Sequence, residues 1–222
     1  MILQEIAENT RKRLEKIKEE VPLKEVQAKA QGMNANTGFP FKKALKAPGM
    51  SFICEVKKAS PSKGVIAETF PYLEIAKEYQ EAGASAISVL TEPDYFQGSP
   101  RYLQEISQMV SIHTLRKDFV VDVYQIYEAK LLGASAVLLI SELLTEAQLK
   151  EYLEVSWKLG LSALTEAHSE VQVEKALKAG ADILGVNNRN LENFQVDMET
   201  SVRLRKLVPP ETVFVSESGI RT

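Results

Sequence analysis

The chain has 222 residues, enough for one large domain with its own core, of which 45% are hydrophobic and 26% charged, with a net charge of -3. That balance gives no reason to expect nucleic acid or an anionic membrane surface as a partner, and no apolar run is long enough to span a bilayer. The single cysteine, Cys54, excludes an internal disulfide framework and fits a reducing cytoplasm.

The N-terminal stretch MILQEIAENTRKRLEKIKEE mixes charges of both signs and reads as an amphipathic helix rather than a signal peptide. Residues 1–50 as a whole read as a helical extension of two helices and a Gly/Asn/Pro-containing connector. They are expected to cover the lower end or a flank of the remainder; the alternative is that they border the active site. From residue 51 the pattern changes. Short apolar runs at 52–56, 86–90, 114–117, 136–140, 161–165, 183–186 and 213–216 read as buried parallel strands. Between them lie helix-period stretches such as PYLEIAKEYQEAG, VDVYQIYEAKLLG, LTEAQLKEYLEVSWKLG and SEVQVEKALKAG, with Pro71, Thr145 and Ser169 as starts. EAGASAISVL, LLGASAVLLI and KAGADILGVN repeat one design, a helix closed by Gly83, Gly133 or Gly180 and followed by a strand. Seven strands alternating with helices predict an α/β protein of the (β/α) barrel type over 51–222.

Polar residues gather where these strands stop. The first strand carries Glu55 and Lys57, the third Lys117 and Asp118, the fifth Glu166, the sixth Asn187 and Arg189, the seventh Glu217 and Ser218. In a parallel barrel all of these ends open on one side, where sites of this fold are built. Glu55 and Lys57 share a face because strand side chains alternate with period two. Carboxylates and ammonium groups in one pocket suit acid–base work on an anionic substrate. The SESG segment suits phosphate held by backbone N–H groups. Cysteine and histidine show no metal-ligand spacing, and no G-x-G-x-x-G follows a strand. Cys54 should point toward the helices as a core residue. His113 and His168 read as structural or surface residues. Tyr95, Phe96 and Phe119 suit either ordinary packing or contact with an aromatic substrate.

The motifs CEVKKASPSKGVI, AISVLTEPDYFQGS, LRKDFVVDVYQIYEA, ALTEAH, GVNNRNL and SESGI, in this order, resemble those of indole-3-glycerol phosphate synthases of tryptophan biosynthesis. The resemblance runs from the N-terminal helices to the last residue. It implies a (β/α)8 barrel with an N-terminal helical extension and a cytoplasmic lyase without metal or organic cofactor. That enzyme closes the pyrrole ring of 1-(2-carboxyphenylamino)-1-deoxyribulose 5-phosphate with loss of carbon dioxide and water. It implies Lys117 as general acid at the ribulose carbonyl, Glu166 in proton removal, Asn187 on substrate hydroxyls, and Lys57 on substrate anions beside Glu55. Glu55 would orient the lysines and stabilise charge on the anilino nitrogen. Ser60 and Arg189 would bind substrate, Ser218 and Gly219 would form half of a phosphate cradle, and Glu217 would complete the charged ring. Phe96, Phe119 and Leu138 would line the anthranilate wall, and residues 60–70 would form a mobile cover.

The family's pattern continues past SESGIRT through an eighth β/α unit. The resemblance therefore predicts a barrel truncated after its seventh strand, weak in phosphate binding and in activity, and open to self-association through unclosed edges. Two other functions share parts of this pattern: a sister barrel such as phosphoribosylanthranilate isomerase, which wants a cysteine and an aspartate at strand ends, and a non-catalytic barrel fragment.

Overall fold

The computed structural model describes residues 2–190 and 194–220. Helices α1 (Ile2–Glu20), α2 (Leu23–Gln31) and α3 (Pro40–Leu45) precede strand β1 (Ile53–Val56). A short ribbon, β2 (Ala59–Ser60) and β3 (Gly64–Val65), follows at once. Then come α4 (Tyr72–Glu81), β4 (Ala86–Leu90), α5 (Pro100–Met109), β5 (His113–Lys117), α6 (Tyr124–Leu131) and β6 (Ala136–Ile140). The last described elements are α7 (Glu146–Lys158), β7 (Ser162–Ala167), α8 (Glu170–Ala179), β8 (Ile183–Asn187), α9 (Glu199–Arg205) and β9 (Val213–Glu217). Seven strands pair in the order β1-β4-β5-β6-β7-β8-β9, every neighbour parallel, so the sequence-predicted strands appear in sequence order. The β2–β3 ribbon, too short to leave a period-two signal, was not expected.

The sheet curls strongly. In a flat sheet, β5 and β9 would stand about 19 Å apart, four strand spacings of about 4.8 Å. Yet Lys117 Nζ on β5 lies 3.6 Å from Glu217 Oε2 on β9. The parallel, helix-covered and strongly curved sheet is that of a (β/α) barrel with seven strands among the described residues.

Alternation along the strands sorts the apolar side chains into two cores. Ala86, Leu115, Ala136, Leu138, Ile140, Leu164 and Ile183 point inward and pack with Ile53, Val213 and Val215. Val56, Ile87, Val89, Val137, Leu139, Leu184 and Val186 point outward under the helices. The helix ends follow sequence chemistry. Thr145 caps α7 in a reciprocal box with Gln148, Ser169 Oγ accepts from the Gln172 amide at the start of α8, and Gly180 closes α8 in the left-handed conformation.

The N-terminal 50 residues do more than cover the lower end. There, Phe41 of α3 is fully buried in the inner core, Thr37 Oγ1 donates to Gly160 O, and Lys42 pairs with Asp182 just before β8. At the opposite, upper end, α1 is tied to the loops after β4 and β5. Arg13 contacts Asp94 at 2.6 Å, Tyr95 donates to Glu5 at 2.7 Å, and Lys18 pairs with Asp122 at 2.5 Å. The segment thus runs from the mouth, along the flank where α2 packs on α6, to the floor. The third helix was not expected because its six residues, PFKKAL, are too few to show a period.

Candidate active site

Lys117, last residue of β5, projects into the mouth between two carboxylates. Its Nζ lies 2.9 Å from Glu55 Oε2 and 3.6 Å from Glu217 Oε2. Lys57 donates to the other oxygen of Glu55, so one carboxylate carries both lysines. Burial alone would raise the Glu55 pKa, but Lys117 and Lys57 outweigh it and hold the group at about 2. Burial disfavours the Lys117 ammonium, but the charges of Glu55, Glu217 and Glu166 more than offset this and push its pKa above the usual lysine range. Glu217 goes the other way. Burial and the Glu166 charge raise it to about 7, although Lys117 opposes them. Near neutral pH Glu217 is therefore partly protonated, and Glu55, the closer group, is the standing counter-ion of Lys117.

Glu166 on β7 and Asn187 on β8 point inward beside this cluster, and Asn187 Nδ2 donates to Glu166 Oε1 at 3.2 Å. Burial would raise Glu166, but His168, Lys117 and Asn187 outweigh it and lower its pKa. Two buried carboxylates, Glu166 held ionised and Glu217 biased neutral, present a base and an acid in one pocket. Position 185 on β8 is a glycine for a spatial reason: a Cβ there would run into the Glu217 carboxylate and stand 3.2 Å from Leu164 Cδ1.

Phe96 and Phe119 form a tilted aromatic pair with ring centroids 5.8 Å apart, and Phe119 packs in the inner apolar cluster that holds buried Leu138. Each ring is presented by a loop gripped by a buried carboxylate. Glu92 accepts the amides of Asp94, Tyr95 and Phe96 at 3.0, 2.7 and 3.1 Å. Asp118 accepts the Phe119 amide at 2.8 Å and the Thr91 hydroxyl at 2.6 Å, and pairs with Arg116 at 3.1 Å. Asp118 is therefore not part of the charged mouth. Its carboxylate is tied into the network of outward-facing Arg116, which also meets Glu128 at 2.6 Å.

Ser60 lies buried in β2, its Oγ 3.4 Å from Ser62 Oγ, and the neighbouring Ala59 amide donates to Phe96 O. The Arg189 amide donates to Asn187 Oδ1, and its guanidinium donates to Phe194 O at 3.1 Å. Ser218 and Gly219 both have positive φ, 64° and 73°. Asn188 pins this turn, donating to Ser218 O at 3.2 Å and to Ser216 Oγ at 3.1 Å.

The model of one protein family, described as indole-3-glycerol phosphate synthase, matches residues 3–222. The chain belongs to the indole-3-glycerol phosphate synthase family. Relatives bearing that name are 55% identical in Ruminiclostridium cellulolyticum, over all of this chain and 85% of the relative, and 55% identical in Endomicrobium trichonymphae, over all of this chain and 86% of the relative. Among solved structures, an N-acetylmannosamine-6-phosphate 2-epimerase from Clostridium perfringens aligns with a TM-score of 0.61 at 14% identity, covering 80% of each chain. The YdjI aldolase from Escherichia coli K12 aligns with a TM-score of 0.57 at 18% identity, covering 85% of this chain and 74% of its own. At such identities the likeness is one of fold.

Further polar residues of this family member border the site. His168 is not on the surface: its Nε2 lies 3.2 Å from Glu166 Oε1 in the pocket wall. Its position two residues after Glu166, just past the end of β7, was the available signal. Glu92 and Asn188 left no such signal, since their partners are loop amides and hydroxyls brought close only by folding. Cys54 faces outward in register with Ile87, as expected, and burial pushes its thiol pKa up.

Proposed function

We propose that this chain catalyses the closure of the indole ring of indole-3-glycerol phosphate from 1-(2-carboxyphenylamino)-1-deoxyribulose 5-phosphate, as a cytoplasmic enzyme. Membership of the family supports the reaction. The observation that carries the assignment of roles is Lys117, held charged between Glu55 and Glu217 and facing Glu166.

The carboxylate-bearing ring carbon attacks the ribulose carbonyl carbon, and the carbonyl oxygen takes a proton from Lys117. Glu55 stabilises the positive charge that develops on the anilino nitrogen. Carbon dioxide leaves, its bonding pair restoring the aromatic ring. Glu166 then removes the proton from the neighbouring ring carbon while the hydroxyl departs as water, protonated by Lys57. Asn187 holds the hydroxyls; Phe96, Phe119 and Leu138 hold the anthranilate ring; Arg189 and Ser60 bind the remaining polar groups. Ser218 and Gly219 hold the phosphate. Among the described residues their amides donate to no protein acceptor, which supports this role. Residues 60–70, anchored at β2–β3, form the cover.

Self-association of the chain belongs to the same reading, and light scattering tests it. No helix among the described residues is long and apolar enough to cross a membrane. The deciding experiment is the absorbance of indole-3-glycerol phosphate formed from the carboxyphenylamino substrate. Formation supports the reading. Absence of product from a folded chain under substrate excess overturns it.

A further inference from the structure

His168 is one of two histidines in the chain, and its ring is largely buried, with 14% of the side chain exposed. Its place is set by the start of α8. The His168 amide donates to Gln172 Oε1 at 2.7 Å, while the Gln172 amide donates to Ser169 Oγ at 3.3 Å. The cap of α8 thus fixes the backbone that carries the imidazole. Nε2 stands 3.2 Å from Glu166 Oε1, at ion-pair distance though not aligned for a linear hydrogen bond. The other nitrogen, Nδ1, has no hydrogen-bond partner among the described residues. Leaving a buried ring nitrogen unpaired costs free energy, and the neighbouring Glu166 carboxylate offsets that cost.

Glu166 shows what that service is. Its Oε1 receives both Asn187 Nδ2 and the His168 ring. Both contacts fall on Oε1, and no side-chain hydrogen bond or ion pair of the described residues reaches Oε2. One oxygen is anchored and the other is left for the substrate. We infer that His168 is a positioning residue, whose imidazolium pairs with Glu166, anchors Oε1 and keeps the carboxylate ionised with Oε2 turned to the reacting carbon. The inference rests on the reading of Glu166 as the base of the ring-forming reaction.

The groups that act on His168 are Glu166 from β7, Glu142 after β6 and Glu217 from β9. Gln172 of α8, whose amide group donates to Glu142 Oε2 at 3.3 Å, is neutral. Burial disfavours the charged ring, but the three carboxylates, Glu166 foremost, outweigh it and raise the His168 pKa. Lys117 is the other cation acting on Glu166. Loss of the imidazolium therefore removes part of what keeps Glu166 ionised, and the effect must show on the acidic side.

Two measurements test this. NMR titration of the wild-type chain, with His113→Gln to assign the two imidazoles, should place His168 above the ordinary value of about 6.5 and His113 below it. Glu166→Gln should then lower the His168 value. In the second measurement, His168→Gln keeps a donor and drops the charge. Its kcat/KM profile from acid to alkaline pH should have an acidic limb moved up by about one pH unit. A residue that only fills space would lower the rate by one factor at every pH. A His168 value at or below the ordinary one and unmoved by Glu166→Gln overturns the pairing. An unmoved acidic limb in His168→Gln overturns the positioning role. A wild-type chain without turnover sinks the reaction assigned to the site, while the titration still decides whether His168 and Glu166 are coupled.

Discussion

The Glu217 carboxylate occupies the space that a side chain at position 185 would fill. Gly185 on β8 and Glu217 on β9 sit on the same inward face, two residues out of register, so the glycine lets the longer side chain lie across its neighbour toward Lys117. Gly185→Ala should displace the carboxylate. Because the displaced atoms end a flexible side chain, the stability cost should stay within about 1–2 kcal/mol. Turnover should fall at least about tenfold, as misplaced acid–base groups do. A folded Gly185→Ala chain with wild-type kcat would show that the position of Glu217 does not matter to the reaction.

Lys117→Ala should lower kcat by roughly 100- to 10,000-fold and leave KM within about threefold, because a general acid acts on the transition state. Steady-state kinetics decide this. Normal kcat with a large rise in KM would make Lys117 a binding group and move the acid to Lys57.

Glu55 and Glu217 should give stability profiles of opposite slope. Glu55 titrates at about 2 in the fold, below its unfolded value, so its contribution is present above the unfolded pKa and lost as pH falls toward 2. Glu55→Gln should therefore destabilise near neutral pH, by about 1–3 kcal/mol for a side chain one-quarter exposed, and the gap should close in acid. Glu217 titrates at about 7, above its unfolded value, so ionising it costs stability as pH rises. Glu217→Gln should match wild type near pH 4 and exceed it by about 1–3 kcal/mol at pH 8. Thermal melts across pH read both, and parallel profiles would contradict the assigned shifts.

Phe119→Leu should raise KM several-fold with little change in kcat. The ring packs against Phe96 at 5.8 Å, and losing one aromatic face costs about 0.5–1.5 kcal/mol. Glu92→Gln should weaken substrate binding in the same direction, because its carboxylate holds the loop that presents Phe96. Wild-type KM in both variants would remove the aromatic wall from substrate binding.

The strand order, the inward set and the charged mouth were legible in the sequence because they follow from local rules. Apolar runs separated by helical periods specify parallel β/α units, and period two puts Glu55 with Lys57 on one face. Helix caps at Thr145 and Ser169 were legible for the same reason. Other features depend on residues far apart in the chain. That α1 reaches the mouth through Arg13 and Lys18, that Glu217 meets Lys117, and that the His168 ring is buried were decided when the sheet curled. The same curling made the acid–base pattern. Glu166 and Glu217 carry the same side chain and follow similar strands, and in water they would titrate alike. The His168 ring and the Asn187 amide on Glu166, against the Glu166 and Glu55 charges on Glu217, separate them, and those surroundings are made by tertiary structure alone.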